Sequence, residues 1–186
     1  MNDLEKMLIR RSKKGDRDAF EVLVLNYMNK IYNIAFGLVG NNEDAKDVVQ
    51  ETFIKVFKNI HTFKGKSQFS TWLYRITVNT SKDLLRNKKY TLPIEELYGE
   101  DELGNGNILP QEQIEQLEER EAIFNALKEL KEDFSNVIIL KDLNGFSYQE
   151  IGEILNINIG TVKSRISRGR QQLKTILQEA DRKYKQ

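Results

Sequence analysis

Prolines occur at only two positions, Pro93 and Pro110, and on both sides of the stretch they bracket the apolar residues recur with helical spacing. Proline in a helix interior removes a hydrogen bond and clashes with the preceding turn. Long helices are therefore open to residues 1–90 and 112–186, and the segment between them breaks. Phe20, Leu23, Val24, Tyr27, Ile31, Ile34, Ala35 and Leu38 follow the i, i+3, i+4 rule. Gly40-Asn41-Asn42 is a stop and a new start, after which Ala45, Val48, Val49, Thr52, Phe53, Val56, Phe57 and Ile60 repeat the pattern. Residues 62–69 lose the period and read as a loop, with Ser70 or Thr71 expected to cap a helix running to about Asn87. Ile114, Leu117, Glu121, Phe124, Leu127 and Leu130 predict a further helix, and Val137 to Leu143 another. The run Val137-Ile138-Ile139-Leu140 has the length of a strand, but its flanks are helical, so it reads as buried helix. The expected fold is all-α. It has two helical domains, 1–90 and 112–186, joined by a flexible acidic linker over 91–111.

The charge distribution sharpens this division. Residues 1–90 hold 17 Lys and Arg against 10 Asp and Glu, a net of +7. Residues 91–135 hold 3 against 13, a net of −10, and residues 136–186 hold 9 against 5, a net of +4. Two basic blocks around an acidic one suggest two polyanion-binding modules and a spacer of opposite sign. The chain has no cysteine, which excludes disulfides, thiolate catalysis and Cys-ligated zinc, and one histidine, His61, which excludes a His-rich metal site. No cofactor and no metal are expected. No apolar run approaches the roughly 18 residues of a membrane span, and the N-terminus has no apolar core of a secretory signal. The expected location is the cytoplasm.

Ser147-Tyr148-Gln149-Glu150 places Glu three residues after Ser, a capping-box pattern that opens a short helix ending at Leu155. Asn156 suits a tight turn because Asn tolerates positive φ. A second helix follows, from Thr161 to about Gln178. From Ile154 to Gln178 there are five cations, Lys163, Arg165, Arg168, Arg170 and Lys174, and no acid. Two short helices with a tight turn, the second basic, make a helix-turn-helix pattern, whose second helix enters the major groove. Lys163, Ser164 and Arg168 lie opposite Val162, Ile166 and Leu173 and are the expected base contacts. Arg165, Arg170 and Lys174 are expected on phosphates or in packing.

In the expected helix 71–87, Trp72, Arg75, Asn79, Lys82 and Arg86 step by 3, 4, 3 and 4 and share one face. An aromatic, an amide and three cations on one face suit a nucleic acid strand. The preceding loop adds Phe63 and Phe69 among Lys64 and Lys66, aromatics that stack on unpaired bases or anchor the loop. On the helix over 43–60, Asp44, Asp47, Gln50, Glu51 and Ile54 form a compact acidic and amide face with one isoleucine, a pattern suited to protein docking.

These residues resemble the bacterial RNA polymerase sigma factors. Residues 44–57, Asp-Ala-Lys-Asp-Val-Val-Gln-Glu-Thr-Phe-Ile-Lys-Val-Phe, resemble the core-polymerase-binding segment of that family. Residues 69–76, with Asn79, Asp83 and Arg86, resemble the segment that melts and reads the −10 promoter element. Residues 148–152 and 160–166 resemble the helix-turn-helix that reads the −35 element. The layout without a middle domain resembles the extracytoplasmic-function group. The resemblance implies that Asp44, Asp47, Gln50, Glu51, Phe53 and Ile54 belong to the segment that docks on the β′ clamp helices of core polymerase, with further contact to the β subunit. It implies a pocket for a flipped −10 base in the loop 62–70, near Asn79, with Phe63, Lys66, Ser67, Phe69, Trp72, Arg75, Lys82 and Arg86 as −10 contacts. It implies −35 contacts at Thr161, Lys163, Ser164, Arg165, Arg168 and Arg170. It also implies that the acidic linker threads along a path otherwise used by nucleic acid, and that an anti-sigma factor, often membrane-anchored in this family, holds the protein inactive. No small-molecule substrate is implied. The chain departs from the family at Leu130-Lys131, where Leu-Pro is usual, and at Gly152 and Gly169, where alanine is common and glycine weakens a helix interior by roughly 0.5–1 kcal/mol.

A self-sufficient DNA-binding regulator would carry the same helix-turn-helix, but residues 43–90 look like neither a sensor nor a dimerisation domain. A degenerate, decoy version of a sigma factor should have lost its basic faces, and both remain. An enzyme is disfavoured: Gly65-Lys66-Ser67 ends like a phosphate-binding loop, yet Ile60 stands where that motif needs glycine.

Overall fold

A computed structural model describes residues 2–91 and 122–184 of the chain. The helices are α1 (Asp3–Ser12), α2 (Arg17–Leu25), α3 (Met28–Val39), α4 (Asn42–Asn59), α5 (Phe69–Thr91), α6 (122–129), α7 (Glu132–Ile138), α8 (Tyr148–Leu155) and α9 (Ile159–Tyr184). No strand occurs among the described residues. Residues 92–111 of the expected linker, and Ile114, Leu117 and Glu121 of the expected next helix, lie outside them.

The helix starts follow the side-chain chemistry of their caps. Asn2, Asp16, Asn41 and Ser147 each accept a hydrogen bond from the amide three residues on, at 2.7, 3.0, 2.9 and 3.2 Å. These bonds satisfy amides that a helix cannot pair internally. Three boundaries differ from expectation. The apolar period over 20–38 predicts one run, but the chain bends by 62° between α2 and α3. Tyr27 stands at the break as the residue before α3 (φ −109°, ψ −7°). Its ring packs against Phe69 and Tyr74, and its hydroxyl donates to the Glu5 carboxylate. Helix α5 begins at Phe69 because the Trp72 amide bonds to the Gln68 carbonyl at 3.2 Å, so Ser70 and Thr71 lie inside the first turn and cap nothing. Helix α9 begins at Ile159 because the Asn158 side chain accepts from the Thr161 amide at 2.8 Å and its hydroxyl at 3.0 Å.

Residues 137–140 are helical and fully buried, with the α7 spiral widening into a π turn over Ile139–Leu143. The Asn144 amide and its side-chain NH2 both bond to the Ile139 carbonyl, at 3.1 and 3.0 Å, which closes the wide turn.

One hydrophobic core runs through both halves of the chain. Ile31, Ile34, Phe69 and Leu73 from the N-terminal helices join Ile139, Leu140, Ile151 and Val162 in a single cluster. Phe36 of α3 meets Phe124 of α6 edge-on at 5.0 Å. A smaller cluster of Ala35, Val39, Ala45 and Val48 joins α3 to α4.

Candidate nucleic-acid and docking interfaces

The C-terminal pair α8 and α9 is built as its residues suggest. Ser147 and Glu150 form a reciprocal capping box, with the Ser147 amide donating to the Glu150 carboxylate at 2.8 Å. The donors at Ser147 hold the Glu150 carboxyl below its ordinary range. Asn156 takes the left-handed conformation (φ 55°, ψ 48°) that turns the chain from α8 into α9. Ile151, Ile154, Val162 and Ile166 are buried between the two helices and α7. Lys163, Ser164 and Arg168 face outward and are exposed. Thr161 is half-buried and engaged by its cap. Arg165 and Arg170 are tied inward: Arg165 pairs with Asp133 of α7, and Arg170 grips Asp142 of the π turn through two nitrogens. Arg165 and Arg170, expected on phosphates or in packing, thus have intramolecular partners that the sequence did not single out.

On α4, Asp47, Gln50, Glu51 and Ile54 are exposed, as the expected docking face would require. Asp44 leaves that face. It is 6% exposed, pairs with Lys88 of α5 at 2.7 Å and accepts from the Asn41 side chain at 2.8 Å, because it completes the cap of α4. Phe57, expected in the core stripe, is exposed instead. It lines a shallow apolar groove of about 330 Å³ with Phe20, Phe53 and Ile54, flanked by Arg17 and Lys58. Phe20 and Phe57 meet edge-on at 5.0 Å. Sequence reasoning missed Phe20 and Phe57 because both fit the helical apolar period, and periodicity does not reveal which end of a stripe lacks a neighbour.

On α5 the outcome is mixed. Phe63 and Phe69 are 5% and 0% exposed and cannot offer their faces to a base. Their rings sit 5.5 Å apart, and Trp72 leans on both at 5.4 and 5.8 Å. These three aromatics anchor the loop 62–68. Gly65 turns it at φ 70°, and Lys64 and Lys66 are left exposed, with Ser67 half-buried. Asn79 is exposed on the same helix. Arg75 is half-buried and donates to the Glu153 carbonyl of α8. Lys82 pairs with Glu132 of α7 at 2.9 Å, and Arg86 with Asp83 at 2.9 Å. A cleft of about 1,020 Å³ separates the loop from the turn into α9. Lys66, Ser67 and Arg75 line one wall, and Gln149, Asn156 and Asn158 the other. Among the described residues no acidic or histidine cluster could hold a metal ion, and no single helix is long and apolar enough to cross a membrane.

Residues 23–91 match the family model for Sigma-70 region 2, and residues 120–173 that for Sigma-70 region 4. The chain is 39% identical to the ECF RNA polymerase sigma factor SigW of Bacillus subtilis, over 96% of this chain and all of that protein. The chain belongs to the extracytoplasmic-function (ECF) RNA polymerase sigma factors. The ECF sigma-E factor of Haemophilus influenzae is 38% identical, over 94% of this chain and 95% of its own. Two solved structures share the fold. CnrH, in complex with the cytosolic domain of CnrY, superposes with a TM-score of 0.69 at 24% identity over 95% of this chain and 99% of its own. The sigma factor RpoE of Bartonella quintana, in complex with the anti-sigma factor NepR, gives 0.63 at 26% over 86% of this chain and 96% of its own.

Proposed function

We propose that this sigma factor joins bacterial core RNA polymerase through α4 and reads a two-part promoter through α5 and α9. The observation that carries the reading is the outward row Lys163, Ser164 and Arg168 on a helix whose opposite side is buried and whose Arg165 and Arg170 are already paired. A helix so presented reads base edges in the major groove. The exposed residues Asp47, Gln50, Glu51 and Ile54, together with the groove of Phe20, Phe53 and Phe57, form a surface with an apolar centre and polar rim, suited to the β′ clamp helices. Asn79 and Lys66 remain open on the α5 side to hold a non-template −10 strand, with Ser67 at the loop beside them and Arg86 exposed but paired with Asp83. In this reading promoter opening draws on contacts that exist only for unpaired bases, and nucleotidyl chemistry stays with the polymerase. The domains would be 1–90 and 112–186. The acidic segment between them would lie along a nucleic-acid path, and an anti-sigma factor would control the protein in the cytoplasm. The complex of Bartonella quintana RpoE with NepR supports that last point.

The test is run-off transcription by purified bacterial core polymerase on a genomic fragment pool. Discrete new 5′ ends that require this protein are expected, and their alignment gives both promoter elements. Their absence with folded protein would sink the reading.

A further inference from the structure

The loop 62–68 is held from outside by a cation that belongs to neither α4 nor α5. The Lys13 ammonium, at the end of α1, donates to the Phe63 carbonyl and lies 5.7 Å from the centre of the Phe63 ring. The Phe63 amide donates to the Ile60 carbonyl at 3.2 Å, and its ring is buried against Phe69 and Trp72. Amide, ring and carbonyl of Phe63 are thus all engaged, and the backbone leaves it in extended geometry (φ −65°, ψ 110°) toward Lys64. The aromatic cluster alone would fix only the ring. The peptide plane after Phe63 could still turn about ψ, and that plane sets the direction of Lys64, Gly65 and Lys66. The bond from Lys13 removes this freedom. It matters here because Gly65, at φ 70°, adds none of the restraint that a side chain would.

The turn that carries Lys13 is itself firmly built. Gly15 takes the left-handed conformation (φ 88°) that reverses the chain between α1 and α2. The amides of Lys13, Lys14, Gly15 and Asp16 donate back to the carbonyls of Ile9, Arg11, Ser12 and Arg11, at 3.0, 2.9, 3.0 and 3.3 Å. The Asp16 carboxylate caps α2 through the Ala19 amide at 3.0 Å and accepts from Arg11 Nε at 2.7 Å, with Arg11 Nη2 also at 2.7 Å. Asp16 is the only acid among residues 10–17, and it is committed to Arg11 and to α2. Lys13 is thereby left to the loop.

We propose that Lys13 is a positioning residue for strand capture: it fixes the Phe63 carbonyl, and through it the path of residues 64–68, without touching DNA itself. This rests on the assignment of the loop and α5 to the −10 strand. A loop held in its receiving shape before binding loses less freedom when an unpaired base arrives. Without the Lys13 donor the loop spreads over several shapes, and apparent affinity for the unpaired base falls by the fraction that remains competent. The loss of one hydrogen bond to a charged donor corresponds to about a fivefold or larger change.

The experiment uses holoenzyme assembled from purified core polymerase and the full chain, on a promoter that this protein directs. Lys13→Met keeps an unbranched apolar stem and removes the donor, and Lys13→Arg restores a charged donor. 2-Aminopurine placed at successive non-template −10 positions reports by fluorescence which base leaves the stack, and permanganate reads opening. Lys13→Met is expected to cut both signals about fivefold and to flatten the preference for the base that flips. Core affinity and −35 duplex binding should stay within about twofold, and Lys13→Arg should recover most of the opening. Salt titration separates positioning from contact. The dependence of log affinity on log salt should be unchanged in Lys13→Met, whereas a lost phosphate contact to a single strand would lower the slope by about 0.7. Unchanged opening in Lys13→Met overturns the proposal. So does a slope lowered by that amount, or a fall in core affinity that matches the fall in opening. Asn79→Ala on the same template tests the underlying assignment. If it also opens normally, the −10 reading of α5 fails; if it is impaired while Lys13→Met is normal, only the role of Lys13 fails.

Discussion

The Ile157 amide donates to the Gly152 carbonyl at 3.0 Å, and the Ile157 carbonyl turns back over the Gly152 Cα, so that a Cβ at 152 would stand 2.9 Å from that oxygen. The obstacle is backbone, which cannot rotate aside. Alanine gains roughly 1 kcal/mol of helix propensity over glycine, while forcing atoms into a packed site costs typically 1–3 kcal/mol. Gly152→Ala is therefore expected to destabilise the chain by up to about 2 kcal/mol. Urea unfolding followed by circular dichroism checks this, and a stabilised variant would refute the close approach.

The Ser147 hydroxyl and Glu150 carboxylate hold each other across the first turn of α8. Because the folded carboxyl titrates below its ordinary value of 4.5, its contribution is present above that value and is lost as pH falls through the folded one. Ser147→Ala should lower stability by about 1 kcal/mol at pH 7. The variant should also lose less stability than the wild type between pH 5 and pH 3, a range set by the ordinary carboxylate value. Thermal melts across that range are the measurement.

Lys163 and Arg168 are exposed while Arg170 is paired with Asp142. Alanine at Lys163 or Arg168 should change which −35 base is preferred, at about 1–3 kcal/mol per base pair. Arg170→Ala should weaken binding evenly across sequences. Promoter-variant profiling distinguishes the two, and a uniform loss at all three positions would reduce the row to phosphate contact.

Asn79→Ala is expected to cut open-complex formation while leaving −35 duplex binding within about twofold, a difference under 0.5 kcal/mol. Permanganate footprinting and gel shift read the two steps. Equal loss in both would remove Asn79 from strand capture.

Ile54→Asp or Phe57→Asp places a charge in the groove beside Phe20, where both residues are already partly exposed. Core polymerase affinity should fall at least tenfold, about 1.4 kcal/mol or more, with helicity unchanged. Pull-down titration with purified core is the check.

Much of this was legible in the residues. The capping box at Ser147 and Glu150, the left-handed Asn156 and the outward Lys163, Ser164 and Arg168 follow from local chemistry, which a short window contains. The placements of Asp44, Phe57, Arg165 and Arg170 depend on what arrives from another helix, and a period cannot show that. Phe63 and Phe69 illustrate the same limit: an aromatic in a basic loop has the same sequence signature whether it stacks on a base or anchors the loop. Gly152 and Gly169 read as weak points in helices. The structure shows each at a close approach, with Gly169 packed so that a Cβ would lie 3.1 Å from Ile138 Cγ1 and 3.3 Å from Phe134 Cβ.

The core shared by Ile34, Tyr74, Ile139 and Phe146 also bears on descent. Promoter-reading modules invite exchange between relatives, one half kept and the other replaced. Here a graft would set Ile34 against a foreign surface shaped for some other α3. A chimera could keep both DNA specificities and still lose the fit between them, so selection should act on the two halves as a matched pair.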